Sequence, residues 1–167
     1  MALYQISAFE AEINRRAVLL DTNVLCAAFD PSDNWHQDAD TFLELCEDPF
    51  FVSMEVVVEA WGLLAGARKR RLEALNLMLW LNNPGKVSLL PQQPHFLGGA
   101  YDLMNSVGVD CVDALLSRLA HDVSTQSFPG TDMAIATYDV PDMVNCKYKQ
   151  GLRIRIIDLR SGDLAEY

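Results

Sequence analysis

The stretch AVLLDTNVL at residues 17–25 decides the fold class, because a short apolar run stops abruptly at Asp21. An apolar run of this length is typical of a parallel strand that is buried on both faces. Residues 133–139, MAIATYD, repeat the pattern near the other end of the chain, with Asp139 shortly after the run. Ligands of parallel sheets bind outside the carboxyl ends of the strands. The two aspartates therefore predict a site at that edge of a parallel sheet.

Short apolar segments alternate with helical segments along the chain. Strands are predicted at 17–20, 50–52, 86–90, 133–137 and 152–156. Helices are predicted at 3–16, 22–29, 35–47, 54–65, 68–82, 94–106 and 111–123, with a turn or short helix at 141–146. Strands separated by helices form parallel βαβ units with right-handed crossovers. The prediction is an α/β fold, a three-layer α/β/α sandwich with a mostly parallel sheet of about five strands. The last strand alternates polar and apolar residues, so it is expected at a half-exposed edge.

Length and composition predict one domain. At about 150 residues per domain, the 167 residues give a single domain over 1–167, with its core at about 17–157 and the helix at 3–16 as an extension. No apolar run approaches the roughly 18 residues of a membrane span, and the first residues lack the pattern of a secretory signal. We therefore expect a cytoplasmic protein with no membrane partner. The four cysteines contain no CxxC pair, which argues against a zinc site built from cysteine pairs.

The charge of the chain limits how it can bind nucleic acid. Thirteen Lys and Arg against twenty-three Asp and Glu give a net charge of −10, which repels nucleic acid and anionic membranes at long range. Binding to RNA would then require a local basic patch or metal ions. The one basic run is Arg68, Lys69, Arg70 and Arg71. It is a candidate RNA-binding patch, and the alternative is an exposed polar helix start with no ligand.

Two further acids lie in segments predicted to be helical. Glu59 lies in the mostly apolar helix at 54–65, where a buried carboxylate needs a cation or a hydrogen-bond partner. The alternative is that Glu59 and Glu55 face water along a narrow polar stripe. Asp113 lies in the first turn of a helix that Asp110 caps. There the alternative is compensation of the helix dipole, worth about 0.3–1 kcal/mol.

The acids are more informative together than apart. Alone, Asp21 or Asp139 is most simply a strand-end aspartate that caps the following helix. Two unpaired carboxylates about 4 Å apart repel by about 4 kcal/mol at an effective dielectric constant near 20, so a cluster requires cations. Carboxylate oxygens suit Mg²⁺ or Mn²⁺, and such a site can activate water and hold a phosphodiester for in-line attack. The candidate metal ligands are Asp21, Glu59, Asp113 and Asp139.

These motifs resemble those of PIN domains, a family of metal-dependent ribonucleases. Residues 19–25, LLDTNVL, look like the opening motif of the family, and residues 57–59, VVE, match its second acid. Residues 113–115, DAL, resemble its third acid. Residues 136–139, ATYD, followed by Asp142, resemble its closing strand and fourth acid. The resemblance covers nearly the whole chain in the right order.

The resemblance implies an endoribonuclease that hydrolyses RNA phosphodiester bonds by a two-metal-type mechanism with Mg²⁺ or Mn²⁺. It makes the four acids the catalytic metal ligands, directly or through water. It also implies that Asn23 orients the site through hydrogen bonds from behind the ligands, and that Thr137 sits beside Asp139. The segment at 123–131 looks like an enlarged loop relative to the family.

Small bacterial members, the VapC-like toxins, are paired with an antitoxin and commonly form homodimers. The resemblance therefore makes an antitoxin protein and a second copy of the chain the candidate partners. Trp61 and Trp80, with the apolar residues of the helices at 54–65 and 68–82, exceed what one face of a small sheet can cover. That excess favours a homodimer.

Two other functions remain open. A PIN fold could serve as a protein-interaction module with weak or no catalysis, although retention of all four acids argues against it. A phosphoryl-transfer domain could use Asp21 as a phosphorylated nucleophile. Haloacid-dehalogenase-like enzymes of that kind need a second Asp two residues later, and this chain has Asn23 there.

Overall fold

The structure is a computed structural model that describes residues 17–83, 85–90, 94–127, 133–161 and 165–166. Its strands are β1 (Ala17–Leu20), β2 (Phe50–Ser53), β3 (Val87–Leu90), β4 (Met133–Thr137), β5 (Arg155–Asp158) and β6 (Ala165–Glu166). Its α-helices are α1 (Thr22–Phe29), α2 (His36–Leu45), α3 (Met54–Trp61), α4 (Arg71–Leu81), α5 (Pro94–Val107), α6 (Cys111–Asp122) and α7 (Val140–Gln150). The helix predicted at 3–16 and the end of the loop predicted at 123–131 lie outside the described residues.

The strands form one sheet in the order β3-β2-β1-β4-β5-β6. From β3 to β5 all neighbours are parallel, with Val18 opposite Phe50 and Leu19 opposite Ile135. β6 runs antiparallel to β5. This topology confirms the predicted α/β fold with a mostly parallel sheet.

The helices form two groups around the sheet. Helix α1 contacts α2, α3 and α4, whereas α5, α6 and α7 contact one another. All residues of β1 and β4 are buried, as expected for parallel strands with helices on both faces. Among the described residues, no helix combines the length and the apolar character that a membrane crossing requires.

The prediction for the last parallel strand was wrong in both bounds and position. β5 begins at Arg155, three residues later than the predicted start at 152, and it lies inside the sheet between β4 and β6. Ile156 and Ile157 are both buried. The alternating pattern was read from residues that mostly precede the strand, and the antiparallel β6 covers the edge that the sequence left open.

The two helices predicted at 54–65 and 68–82 also differ from the structure. Helix α3 continues as a π-helical segment at Gly62–Ala67, in which the Arg68 N–H donates to the Leu63 carbonyl at 2.8 Å. Helix α4 then starts only at Arg71. Between them, Lys69 adopts a left-handed conformation with φ of 56°. Most of the basic run is thus a connection between helices rather than a helix start.

The enlarged loop predicted at 123–131 likewise begins as helix. Helix α6 continues as a π-helical segment at Val123–Ser127. The turn or short helix predicted at 141–146 is the first part of the longer α7, which ends at Gly151 with φ of 62°.

A paired truncation tests which strand lies at the centre of the core. Leu19 in β1 is fully buried, whereas Leu89 in β3 is 46% exposed. We expect Leu19→Ala to lower the free energy of unfolding by about 2–5 kcal/mol, because it leaves a cavity in a close-packed core. Leu89→Ala should cost less than about 1 kcal/mol, since it removes little buried apolar area. Urea unfolding measures both, and equal losses would contradict the central position of β1.

Candidate active site

Asp21 lies where β1 ends and α1 begins. Its backbone is extended, with φ of −83° and ψ of 158°, and its Oδ1 accepts the N–H of Thr22 at 2.6 Å. The Asp21 N–H donates to the Ala136 carbonyl at 3.1 Å, which continues the pairing of β1 with β4. Only 3% of Asp21 is exposed, so its carboxyl group is held inside the protein at the carboxyl ends of the two central strands.

Asn23 and Thr137 hold the second oxygen of this carboxylate. The Thr137 hydroxyl donates to Asp21 Oδ2 at 2.6 Å, and Asn23 Nδ2 donates to the same oxygen at 2.7 Å. Thr137 Oγ1 also accepts from Asn23 Nδ2 at 3.1 Å and from the Asp139 N–H at 2.8 Å. A hydroxyl has one donor and two acceptor positions, so Thr137 uses all three within this network.

The same network fixes the loop after β4. Asn23 Oδ1 accepts the N–H of Tyr138 at 3.0 Å, next to the bond from Asp139 to Thr137. The backbone of Asp139 is therefore linked to the Asp21 carboxylate through the Thr137 hydroxyl. Asn23, Thr137 and the backbone of Asp139 thus form one hydrogen-bond network with Asp21.

Glu59 joins this group from α3, whose first turn is capped by Ser53. The Thr22 hydroxyl donates to Glu59 Oε2 at 2.5 Å, so consecutive residues of α1 bind the two carboxylates. Glu59 is partly buried. Its charge is one of those that raise the pKa of Asp21.

Burial is the largest influence on the Asp21 carboxyl group. It raises the pKa of Asp21 to about 6, although the hydrogen bonds from Thr137 and Thr22 act in the opposite direction. The negative charges of Glu59 and Asp110 raise it further. The raised pKa of Asp21 therefore reflects first the cost of burying its charged form and then the repulsion from neighbouring acids.

Asp113 approaches the same site from the first turn of α6. Asp110 caps that helix by accepting the N–H groups of Val112 and Asp113 at 2.8 and 2.9 Å. Burial raises the pKa of Asp113 to about 8, with only 7% of the residue exposed. The same pKa is raised by the negative charges of Asp21, Asp110, Asp139 and Asp142. Asp113 thus shares its surroundings with the acids from β1 and β4.

Three charged residues act on this site without having been singled out as part of it. The sequence predicts only a helix cap for Asp110 and no role for Asp142, but the charges of both raise the pKa of Asp113. Burial and then the charge of Asp142 raise the pKa of Asp139, while Arg160 acts to lower it. Arg160 follows the carboxyl end of β5. The strand-end rule used for Asp21 would have found it if β5 had been placed correctly.

The donor set fits a hard divalent cation bound partly through water. Within the described part of the chain, no three carboxylate, imidazole or thiolate groups are arranged to hold one ion together. Mg²⁺ usually keeps several waters and takes only one or two carboxylates from the protein. A carboxylate has about four lone-pair sites; Oδ2 of Asp21 accepts two hydrogen bonds and Oδ1 accepts one, which leaves a position on Oδ1. The oxygen-only chemistry of the acids suits such an ion.

The basic run lies beside a second group of carboxylates. Arg68 forms ion pairs with Asp30 at 3.0 Å and with Asp33 at 2.7 Å, and Arg70 pairs with Asp30 at 3.4 Å. Burial alone would raise the pKa of Asp30, but hydrogen bonds from Ser32 and Arg68 lower it to about 2. Two of the four basic residues are therefore engaged in ion pairs within the chain. Lys69 and Arg71 form no ion pair with another described residue.

A family model and several solved structures match this chain. The model of the PIN domain matches residues 18–139, more than half of the chain. No curated protein matches it in sequence.

The solved structures that share the fold include a toxin and a toxin–antitoxin complex. VapC20 from Mycobacterium tuberculosis, described as a sarcin–ricin-loop cleaving toxin, gives a TM-score of 0.63 at 16% identity and covers 76% of this chain and 93% of its own. VapBC2 from Rickettsia felis, bound to a DNA fragment from its promoter, gives a TM-score of 0.57 at 12% identity. The match covers 85% of this chain and 98% of the VapBC2 chain. FitAcB from Neisseria gonorrhoeae gives a TM-score of 0.56 at 16% identity, and the match covers 86% of this chain and 98% of the FitAcB chain. At these identities the likeness concerns the fold.

The raised pKa values predict that the metal-free protein loses stability as the pH rises. A carboxyl whose pKa is higher in the folded protein than its ordinary value of 3.8 stabilises the fold fully below pH 3.8. That contribution is lost as the pH rises through the folded pKa, about 6 for Asp21 and about 8 for Asp113. We therefore expect the melting temperature in EDTA to fall between about pH 4 and pH 8.

A matched pair of variants separates this effect from the overall negative charge. Asp113→Asn should flatten the decline above about pH 6, because it removes the group that titrates there. Asp102→Asn changes the net charge equally at an exposed position of α5 and should leave the slope unchanged. Circular dichroism melts across the pH range measure both. Equal slopes in the two variants would show that Asp113 is not the responsible group.

Proposed function

We propose that this chain, which belongs to the PIN domain family, is a divalent-metal-dependent endoribonuclease that hydrolyses RNA phosphodiester bonds. The observation that carries the proposal is the convergence of acids on Asp21. Burial and mutual repulsion raise the pKa of Asp21, Asp113 and Asp139 together. Such clustered and perturbed carboxyl groups are typical of functional sites.

The proposed metal ligands are Asp21, Glu59, Asp113 and Asp139, acting directly or through water on Mg²⁺ or Mn²⁺. In a two-metal-type site, the bound ions supply an activated water and stabilise the charge that develops on the phosphodiester. The protein contributes orientation. Asn23 and Thr137 fix the Asp21 carboxylate through Oδ2, and Thr22 restrains Glu59. Groups behind the ligands typically contribute 10- to 100-fold in metal affinity or activity.

Binding of RNA phosphates requires positive charge, and the chain has only 13 Lys and Arg against 23 Asp and Glu. The basic run at 68–71 is the proposed patch. Lys69 and Arg71 would contact phosphates, whereas Arg68 and Arg70 hold the connection through Asp30. Arg160 is a further candidate, because its charge acts on Asp139.

The proposed partners are an antitoxin protein and a second copy of the chain. A solved toxin–antitoxin complex from Klebsiella pneumoniae that shares the fold supports the first. The second is supported by a surface of exposed apolar side chains on α3, the π-helical segment after it and α4. Its members are Val58, Trp61, Leu63, Leu72, Leu75, Met78 and Leu79. Trp80 is not part of it, since its ring packs on Phe29 and Phe50 at 5.7 and 6.2 Å. We place the protein in the cytoplasm, as the proposed substrate requires.

Cleavage should depend on a divalent ion. We expect EDTA to abolish RNA cleavage and Mg²⁺ or Mn²⁺ to restore it, because the clustered carboxyl groups cannot all ionise without a cation. Gel analysis of a labelled RNA measures the activity, and a melting curve at each condition reports the fold. Full cleavage without metal would contradict the proposal. A folded protein that binds metal but cleaves no RNA would favour the interaction module instead.

Asp21→Asn should abolish cleavage without unfolding the protein. We expect kcat/KM to fall by more than the 10- to 100-fold typical of groups behind a metal ligand. Asn keeps the volume and relieves repulsion, but it turns one of the oxygens that accept from Thr22, Asn23 and Thr137 into a donor, so the metal-free variant at pH 8 should still melt cooperatively. Glu55→Gln, one helical turn before Glu59, is the matched control and should retain nearly full activity. If Glu55→Gln lost activity and Glu59→Gln kept it, Glu55 rather than Glu59 would be the metal ligand.

The apolar surface on α3 and α4 should form the homodimer contact. Light scattering at micromolar concentration should give twice the monomer mass for the native protein. Leu79 and Leu45 are 72% and 73% exposed, but only Leu79 belongs to this surface. We expect Leu79→Asp to give a monomer, because a buried charge opposes association, and Leu45→Asp to remain a dimer. A monomeric native protein would contradict the dimer.

A further inference from the structure

Trp35 is an exposed aromatic residue placed beside the candidate active site. It precedes α2, and its ring stacks on Tyr138 with centroids 5.3 Å apart and planes inclined by 23°. Tyr138 lies between Thr137 and Asp139, and its N–H donates to Asn23 at 3.0 Å. The tyrosine under the indole therefore belongs to the network that holds the acids. Even with Tyr138 stacked on its ring, 38% of Trp35 remains exposed.

Hydrogen bonds hold both the N–H and the carbonyl group of Trp35. Its N–H donates to Asp33 Oδ1 at 3.0 Å, and its carbonyl accepts the Tyr138 hydroxyl at 3.5 Å. Asp33 Oδ2 in turn accepts from Arg68 at 2.7 Å, and Arg68 is also paired with the buried Asp30. An exposed indole whose position is set in advance binds a planar partner with little loss of conformational entropy.

Trp35 also lines a polar surface cavity. It has a volume of about 510 Å³, within the range of small-ligand pockets. Its lining residues are Asp30, Ser32, Asp33, Asn34, Trp35, Arg68 and Arg70. Trp35 thus faces Tyr138 of the active-site loop and also borders a cavity large enough for a nucleobase.

We propose that Trp35 is a stacking platform for one unpaired base of the RNA, next to the phosphate that is cleaved. The inference rests on the proposed ribonuclease function and adds a substrate class, RNA with an unstacked base in a loop or single strand. Proteins take bases of this kind onto aromatic side chains, and every base offers a suitable face. A chain of net charge −10 gains no long-range attraction to RNA. Stacking of a base on Trp35 does not depend on charge, so it would supply affinity that ionic contacts to the phosphates do not.

The test combines protein and RNA changes in the inactive Asp21→Asn background. Trp35→Ala should weaken binding of a single-stranded RNA that the native enzyme cleaves by about 5- to 100-fold, the range for loss of one base–aromatic stack. Trp35→Phe should restore most of the affinity, since it keeps an aromatic face. Tyr101→Ala removes an aromatic side chain that is 65% exposed on α5, and it should leave the affinity unchanged.

The RNA side of the experiment uses the same oligonucleotide with one abasic nucleotide moved along it. At one position near the cleaved bond, the abasic nucleotide should weaken binding to the protein that retains Trp35. At the same position it should cause no further loss of affinity in Trp35→Ala, as expected for two changes that remove one contact. This scan needs only the Trp35 protein, so it remains decisive if Trp35→Ala fails to fold. In active enzyme, Trp35→Ala should raise KM more than it lowers kcat.

The outcomes separate this inference from the proposed function. If the native protein cleaves RNA but folded Trp35→Ala binds and cleaves equally well, the platform is refuted and the ribonuclease remains. Equal losses at every abasic position would also refute it, because no single base would then be read. If the native protein neither binds nor cleaves RNA, both proposals fall.

Discussion

The buried carboxylate of Asp21 is the constraint on which the rest of the site depends. A carboxyl group that is only 3% exposed must find hydrogen-bond partners or a cation. It finds Thr22 at the start of α1 and Thr137 at the end of β4, 116 positions away in the sequence. These partners meet only because β1 and β4 pair in one register, with Leu20 opposite Ala136. A slip of one residue would turn the strand side chains to the other face and separate Asp21 from Thr137.

This network also positions groups that do not touch Asp21. Asn23 bonds both the Asp21 carboxylate and the N–H of Tyr138, and Thr137 accepts the N–H of Asp139. The loop after β4 is thereby tied to the loop after β1. One set of short hydrogen bonds orients an acid on one side of the loop and the aromatic pair of Tyr138 and Trp35 on the other. Pre-organisation of this kind lets a site act without rearranging when its ligand arrives.

The sequence was sufficient for features that depend on local pattern. β1 and β4 were predicted with their observed bounds, because each is an apolar run with an abrupt polar end. The rule that ligands bind at strand ends then located Asp21 and Asp139 together. Features that depend on distant partners were not predictable. The connection between α3 and α4 is held by the ion pairs of Arg68 and Arg70 with Asp30, and β5 became an inner strand because β6 covers it. Neither contact leaves a periodic signal in the segment that it shapes.

Two buried aspartates of this chain show opposite electrostatics, and the contrast bears on function. Asp30 and Asp113 are 2% and 7% exposed, yet the pKa of Asp30 is about 2 and that of Asp113 is about 8. Asp30 is neutralised from within, by Arg68, Arg70 and Ser32. Asp113 has other acids around it instead. The chain compensates one buried carboxylate with its own arginines and surrounds the other with acids, so the proposed divalent cation would supply the positive charge at the second place.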